Sequence, residues 1–212
     1  MKIKALVMAA VLLVASATSA FALRQTSINY SIGSSSFNVK DDDSNLDAKM
    51  EYGFSPFGLN VDNTWFFGGV NMLQVGFDLD FGFWLSSGQK VDGENDSDWF
   101  NLGEWISIGP AFSLAIDMAN ALRFTPGLQM NIDEAFNSDY TWTDVYAAFS
   151  MDFAFQHFFS EDIGLNLGFD MDFPFAGTGT TKYSYKGKTY TNTVDIGSGF
   201  DYRIYGGIVF RM

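Results

Sequence analysis

Residues Leu73–Leu85 read LQVGFDLDFGFWL. Leu73, Val75, Phe77, Leu79, Phe81, Phe83 and Leu85 take every odd position, and Gln74, Gly76, Asp78, Asp80 and Gly82 fill even ones. A period of two held over the whole stretch predicts a β-strand, because no helical face repeats that way. The same alternation recurs at Leu46–Phe54, Ile106–Ile116, Leu122–Ile132, Ala147–Phe155, Ile163–Phe175 and Phe200–Met212. A weaker stretch around Ile28, Tyr30 and Ile32, with a bulge expected at Gly33–Ser36, brings the predicted total to eight strands.

The connections also alternate. Asp117–Ala121 and Phe158–Asp162 read as tight turns, whereas Ser86–Asn101, Asp133–Thr141, Ala176–Thr193 and the Asp41-Asp42-Asp43 segment read as long polar loops. If the first strand rises from the periplasm, the loops gather on one side and the turns on the other. Pro56–Met72 is long for a turn, and its Trp65-Phe66-Phe67 reads either as an interfacial segment or as a short extra strand.

Composition decides which face looks outward. Charged residues make up 17% of the chain and aromatic residues another 17%, against roughly 25% charged in an ordinary soluble domain. The polar positions of the strands are mostly small, with Gly76, Gly82, Gly109, Gly127, Gly164, Gly168, Gly199 and Gly207 sharing that face. Small residues suit the crowded interior of a narrow barrel, and the opposing array of Leu, Ile, Phe and Met suits lipid. The expected fold is therefore all-β: a closed, antiparallel, up-and-down transmembrane β-barrel of eight strands.

Residues 1–22 read as a cleaved signal peptide, with Lys2 and Lys4 ahead of an apolar run and Ala20-Phe21-Ala22 as the cleavage signal. The apolar run is too short to span a membrane as a helix. Residues 23–212 form the barrel domain. Removing the leader takes the formal charge from −13 to −15, which argues against nucleic acid as a partner. The chain contains no Cys, so thiolate chemistry and lipid anchoring through cysteine are excluded. No cofactor is expected.

The C-terminal run Tyr205-Gly206-Gly207-Ile208-Val209-Phe210-Arg211-Met212 resembles the terminal assembly signal of bacterial outer-membrane barrels, with Tyr205, Gly207, Phe210 and Met212 in its four slots. Met212 stands where Phe or Trp is usual. Taken with the leader and eight strands, the chain resembles the small outer-membrane barrels of the OmpA transmembrane domain, OmpX and OmpW type. That resemblance implies residence in the cell outer membrane, contact with membrane lipid and recognition by the barrel-assembly machinery.

The lumen carries the most distinctive chemical signal. Gly76–Phe83 (GFDLDFGF) and Gly168–Phe175 (GFDMDFPF) place Asp78 and Asp80 on the third predicted strand and Asp170 and Asp172 on the seventh, on opposite walls. Glu51, Glu104, Asp152 and Asp201 are assigned inward too, against Lys49, Arg123 and Arg203. In one reading these groups form an ion-paired plug, with Arg203 answering Asp170 or Asp172. In the other, unmatched acids hold a divalent cation or line a narrow cation path.

Trp99, Trp105, Tyr140 and Trp142 near one set of strand ends, and Phe155, Phe158 and Phe159 near the other, read as aromatic belts. His157, the only histidine, falls beside a tight turn; an outer-membrane lipid-modifying enzyme would need it beside Ser or Asp at the outer rim, so no catalytic residue is assigned. Lys182–Thr193 reads as a protruding hairpin and a candidate surface for an extracellular partner. The function classes are thus a structural or surface-interaction barrel with a filled acidic lumen and, alternatively, a narrow porin-like channel for cations or small apolar solutes.

Overall fold

The computed structural model describes residues 23–41, 46–67, 72–137, 140–185 and 188–212. The predicted leader, Asp42-Asp43 and Lys186-Gly187 lie outside the described residues. The strands are β1 (Leu23–Asp41), β2 (Leu46–Tyr52), β3 (Ser55–Phe67), β4 (Leu73–Val91), β5 (Glu94–Ala115), β6 (Asn120–Phe136), β7 (Tyr140–Phe158), β8 (Ile163–Tyr185) and β9 (Lys188–Arg211).

Each strand pairs antiparallel with its neighbours, and β1 pairs with β9 to close the sheet. The strands nonetheless fill eight places in the ring, because β2 and β3 share one. On β1, Ser36–Asp41 pair with β2 and Leu23–Gly33 pair with β3. On the other side β4 pairs with both. β1 and the end of β9 meet across the closing seam, where the Arg24 amide donates to the Met212 carbonyl at 3.1 Å and the Met212 amide returns a bond at 2.8 Å.

Closure removes every sheet edge, the only way a β-structure can cross hydrocarbon with its backbone groups satisfied. At the end of the barrel that holds Leu23 and Met212, Asp117 organises the β5–β6 turn. The Asn120 side chain and the Ala119 amide bond its carboxylate and hold it below the usual carboxylate range.

Two expectations from the sequence are corrected. Within Pro56–Met72 the strand reading of Trp65-Phe66-Phe67 holds but is too short: β3 covers the segment as far as Phe67, as the continuation of the second barrel strand after a break at Gly53-Phe54, and residues 68–71 lie outside the described residues. Three of the long polar segments are not loops where they are described. Ser86–Asn101 continues β4 and β5 into a two-residue turn at Asp92-Gly93, both with positive φ (51° and 84°), the geometry that matches hairpin twist. Asp133–Thr141 and Ala176–Thr193 are likewise mostly strand. Polar side chains on a wall that faces water do not interrupt a hydrogen-bonded ladder, so strands pass through segments whose composition suggests loops.

The strands are consequently taller than a membrane requires. β8 and β9 run 23 and 24 residues, whereas about 9–11 suffice to cross a bilayer. Along β1 the two faces exchange chemistry without exchanging sides. Near Leu23 the side chains of Gln25, Ser27, Asn29 and Ser31 point inward while Ile28 and Tyr30 point outward. Higher up Phe37 and Val39 are the buried ones, and Asn38 and Lys40 are exposed. The lower wall is thus apolar outside, with Leu128, Leu167 and Ile204 more than half exposed, and the upper wall is polar outside over an apolar interior. The first pattern suits lipid and the second suits water.

Candidate functional site

The interior of the barrel is the candidate site, and it has two tiers. The lower, polar tier is built around two buried arginines: Arg203 is held by carboxylates of the adjacent strand, and Arg123 by one carboxylate of the adjacent strand and one from across the lumen on β3.

Arg203 on β9 sits directly across from Asp170 on β8. Its Nε donates to Asp170 Oδ2 at 2.9 Å, and its Nη2 reaches the same oxygen, Asp172 Oδ2 at 2.5 Å and Gln129 Oε1 at 3.1 Å. Gln129 Nε2 in turn donates to Asp172 at 2.6 Å. The guanidinium lies 4.2 Å from the centre of the Trp105 ring, so its face is covered by an aromatic system while its edge is bonded. The i, i+2 spacing of Asp170 and Asp172 puts both carboxylates on one face of β8, where a single arginine fork can take both.

Arg123 on β6 makes the second knot. It pairs with Asp62 and with Asp152, the latter at 2.9 Å, and donates to Thr64 Oγ1 at 3.0 Å. The Tyr205 hydroxyl donates to Asp152 at 2.5 Å. It has room to do so because Gly168 lies against the Tyr205 ring, where a Cβ would collide with it. Thr64 Oγ1 lies 2.8 Å from Asp78, and Asp80 accepts from Asn60 Nδ2 at 3.1 Å and Trp105 Nε1 at 3.2 Å.

Asp78 and Asp170 therefore belong to different knots, while Asp80 and Asp170 line one small cavity together. Asp201 sits higher, accepting the Ser36 amide at 3.1 Å, and the Tyr146 hydroxyl bridges it to Asp133 at 3.1 and 2.9 Å.

Three residues assigned inward from the sequence face outward. Lys49 and Glu51 lie on the outer wall of β2, bonded to each other at 2.5 Å, with Lys90 4.0 Å from Glu51. Their neighbours Ala48, Met50 and Tyr52 are the buried ones. The reason is the exchange of chemistry along the wall: above the lipid, charged side chains belong outside. Glu104 is exposed as well, since it shares the parity of Ile106 and Ile108 on β5.

Other interior groups escape the sequence reading. Asp62 lies in the segment taken as a turn, although Gly58, Asn60, Asp62 and Thr64 alternate with Leu59 and Val61 and carry the strand signal. Asp133 and Asp144 lie in or beside a segment taken as a loop. Asp144 accepts Trp142 Nε1 at 2.5 Å and the Tyr52 hydroxyl. Among the described residues, no group of three or more His, Cys, Asp or Glu is arranged to hold a metal ion.

The upper tier is apolar and largely aromatic. Phe37, Tyr52, Trp84, Trp99, Trp105 and Tyr146 pack with Val39, Met50, Val194 and Ile196. Tyr52 contacts both Phe37 and Trp84, with ring centres 5.7 and 5.5 Å apart. Trp99 and Trp105, read from the sequence as belt residues, are 8% and 5% exposed and point inward. Phe158 is also buried, under Arg211, whereas Phe155 and Phe159 are exposed. His157 sits at the foot of β7, its Nδ1 2.8 Å from Asn120 Oδ1.

A cavity of about 20 Å³ remains between the tiers and one of about 10 Å³ among the arginine knots under Trp105, each with room for roughly one water molecule.

A closed ring of eight places, an apolar outer girdle and a polar lower interior define an outer-membrane β-barrel. Three solved structures share the fold. OprG from Pseudomonas aeruginosa matches with a TM-score of 0.59 at 12% identity, over 91% of this chain and 97% of that one. A major outer membrane protein from Thermus thermophilus matches at 0.53 and 12%, over 88% and 99%. The outer membrane protease OmpT from Escherichia coli matches at 0.53 and 6%, over 90% and 96%.

No curated protein matches the sequence. The chain belongs to the family described as domain of unknown function DUF2715, which matches residues 44–212.

Proposed function

We propose that the protein resides in the outer membrane as a closed, non-conducting barrel with a structural or surface-interaction role. One observation carries this reading: the arginine knots and the aromatic tier are stacked along the barrel axis, and among the described residues the two cavities lined by both, about 20 and 10 Å³, each have room for about one water molecule. A buried charge network of this kind is stable only while its partners stay bonded to one another, which opposes a hydrated path. Asp78, Asp80, Asp170 and Asp172 act here as bonded members of the plug rather than as a cation site. No catalytic role is proposed, because His157 is occupied with Asn120 away from the lumen.

In planar bilayers the purified protein is expected to give no discrete conductance steps. Stepwise cation current that changes on Asp78→Asn or Asp170→Asn would overturn the plug in favour of a channel.

The wet upper wall offers the surface for an extracellular partner, and the strands that flank residues 186–187 stand at its top. Tyr205, Gly207, Phe210 and Met212 serve as the assembly signal for the barrel machinery, and residues 1–22 as the export leader. Mass spectrometry of the membrane fraction should find Leu23 at the N-terminus; an intact leader there would refute that assignment.

A further inference from the structure

The ring closes lower on one side of β9 than on the other. The last pair that β1 makes with β9 is Lys40 with Asp195, and β1 ends at Asp41, whereas β8 and β9 stay paired up to Tyr185 and Lys188. β7 covers β8 as far as Tyr183. Among the described residues, no strand covers β9 above Asp195 on the side of β1.

Parity tells which backbone groups this leaves. At the seam the outward-facing Arg24 and Met212 exchange both backbone bonds, and the outward-facing Lys40 and Asp195 are a pair of the same kind. Thr193, Thr191 and Thr189 continue the outward parity of Asp195, so their N–H and C=O groups turn to the side that β1 has left. These three positions carry neither charge nor proline, the usual guards of a strand edge.

A second observation says what fits there. On the inner face of the same strands, Tyr140, Tyr183 and Tyr190 are direct neighbours in register, with ring centres 5.6 and 5.1 Å apart, the second pair stacked at 12°. That spacing is close to one strand separation. The row stops on Tyr190, which is 41% exposed. One more strand would take up the backbone groups of the threonines and set a side chain against the open side of Tyr190.

We propose that β9 accepts an extended peptide strand from an extracellular partner, added antiparallel along Thr189, Thr191 and Thr193, with an aromatic residue beside Tyr190. Another extended backbone is what offers donors and acceptors at the repeat of these threonines, and an aromatic cross-strand neighbour adds to the pairing. A second copy of the chain fits less well. Standing upright in the same membrane, it presents a β9 that runs the same way and can pair only in the parallel sense, the weaker one. The proposal rests on the upper wall being an interaction surface and narrows that surface to one edge.

The test uses the full barrel in phosphatidylcholine nanodiscs, with amide hydrogen exchange followed by NMR and acetyl-KTVTYTVTE-amide as the probe. Without peptide, the Thr189, Thr191 and Thr193 amides should exchange fast at every protein concentration; saturating peptide should slow them about tenfold or more, the worth of one hydrogen bond each. Thr191→Pro removes an edge donor and no bond to β8, so it should weaken binding about tenfold while the barrel keeps its heat-modifiable gel mobility. The fully N-methylated peptide, which has no backbone donor, should slow none of the three amides. Replacing the probe's tyrosine by serine should cost about threefold in affinity, and equal affinity would overturn the aromatic requirement. No protection by the peptide would overturn the proposal, as would amides already protected without it, and protection that rises with protein concentration would assign the edge to a second copy. Binding indifferent to both Thr191→Pro and N-methylation would overturn strand addition while leaving the upper wall an interaction surface. The N-methyl comparison decides the case even if Thr191→Pro does not fold.

Discussion

Arg203→Met should destabilise the barrel by about 3–5 kcal/mol, the usual cost of removing one partner from a buried ion pair. The cost falls at the upper end because two carboxylates are left behind: Asp170 and Asp172 both bond the same guanidinium, and Asp172 is fully buried. Gln129 loses the donor to its Oε1 at the same time, and Trp105 loses the cation over its ring. Urea unfolding from lipid vesicles measures the change. Adding Asp170→Asn should recover part of the loss, and adding Asp172→Asn as well should recover most of it, since a neutral cluster no longer holds uncompensated charge. A neutral single mutant would mean that the lumen is hydrated, and the plug would fall with it.

Phe81→Arg is expected to cost about 2–4 kcal/mol, the penalty for a cation near the middle of the lipid-facing wall of a barrel. Phe81 lies between Val61 on β3 and Ile106 on β5 in register, so both residues directly beside the new charge on the outer face are apolar, and the outward acid Glu104 stands one pair higher, opposite Phe83. Phe169→Arg on β8 should behave alike. The contrast is Asn38→Arg, at an outward position of the upper wall, which should stay within about 0.5 kcal/mol of wild type, as exposed substitutions usually do. If Phe81→Arg and Asn38→Arg unfold at the same urea concentration, the division of the outer wall into lipid-facing and water-facing parts is wrong.

The strands themselves are legible in the sequence because period two survives wherever the two faces differ. Leu73–Leu85 folds as the strand its alternation describes, and Arg123, Asp152, Asp170 and Arg203 are inward groups as their parity implies. What period two does not carry is the sign of the difference. Ala48, Met50 and Tyr52 alternate with Lys49 and Glu51 as cleanly as Phe77 and Leu79 alternate with Asp78 and Asp80, yet the inward set is apolar in one case and acidic in the other. The solvent outside the wall decides it, and the solvent changes partway up each strand. Trp99 and Trp105 are misread for the same reason: an aromatic residue near a strand end suits a lipid belt or a dry interior equally well until the height of the wall is known. Polar stretches such as Ser86–Asn101 hide their strands because composition there reports the water outside and not the backbone ladder.

The exchange of chemistry halfway up the wall also works as a depth gauge. Were the barrel to sink by one pair of residues, Ser34 and then Asn38 on β1 would approach hydrocarbon; were it to rise, Ile28 and Tyr30 would be left in water. Either displacement is opposed all around the ring at once, so immersion is set by the sum of many small penalties rather than by any single anchoring residue. Lengthening or shortening the polar crown should therefore leave the immersed girdle where it is, and a bilayer of the wrong thickness has to deform to meet the protein.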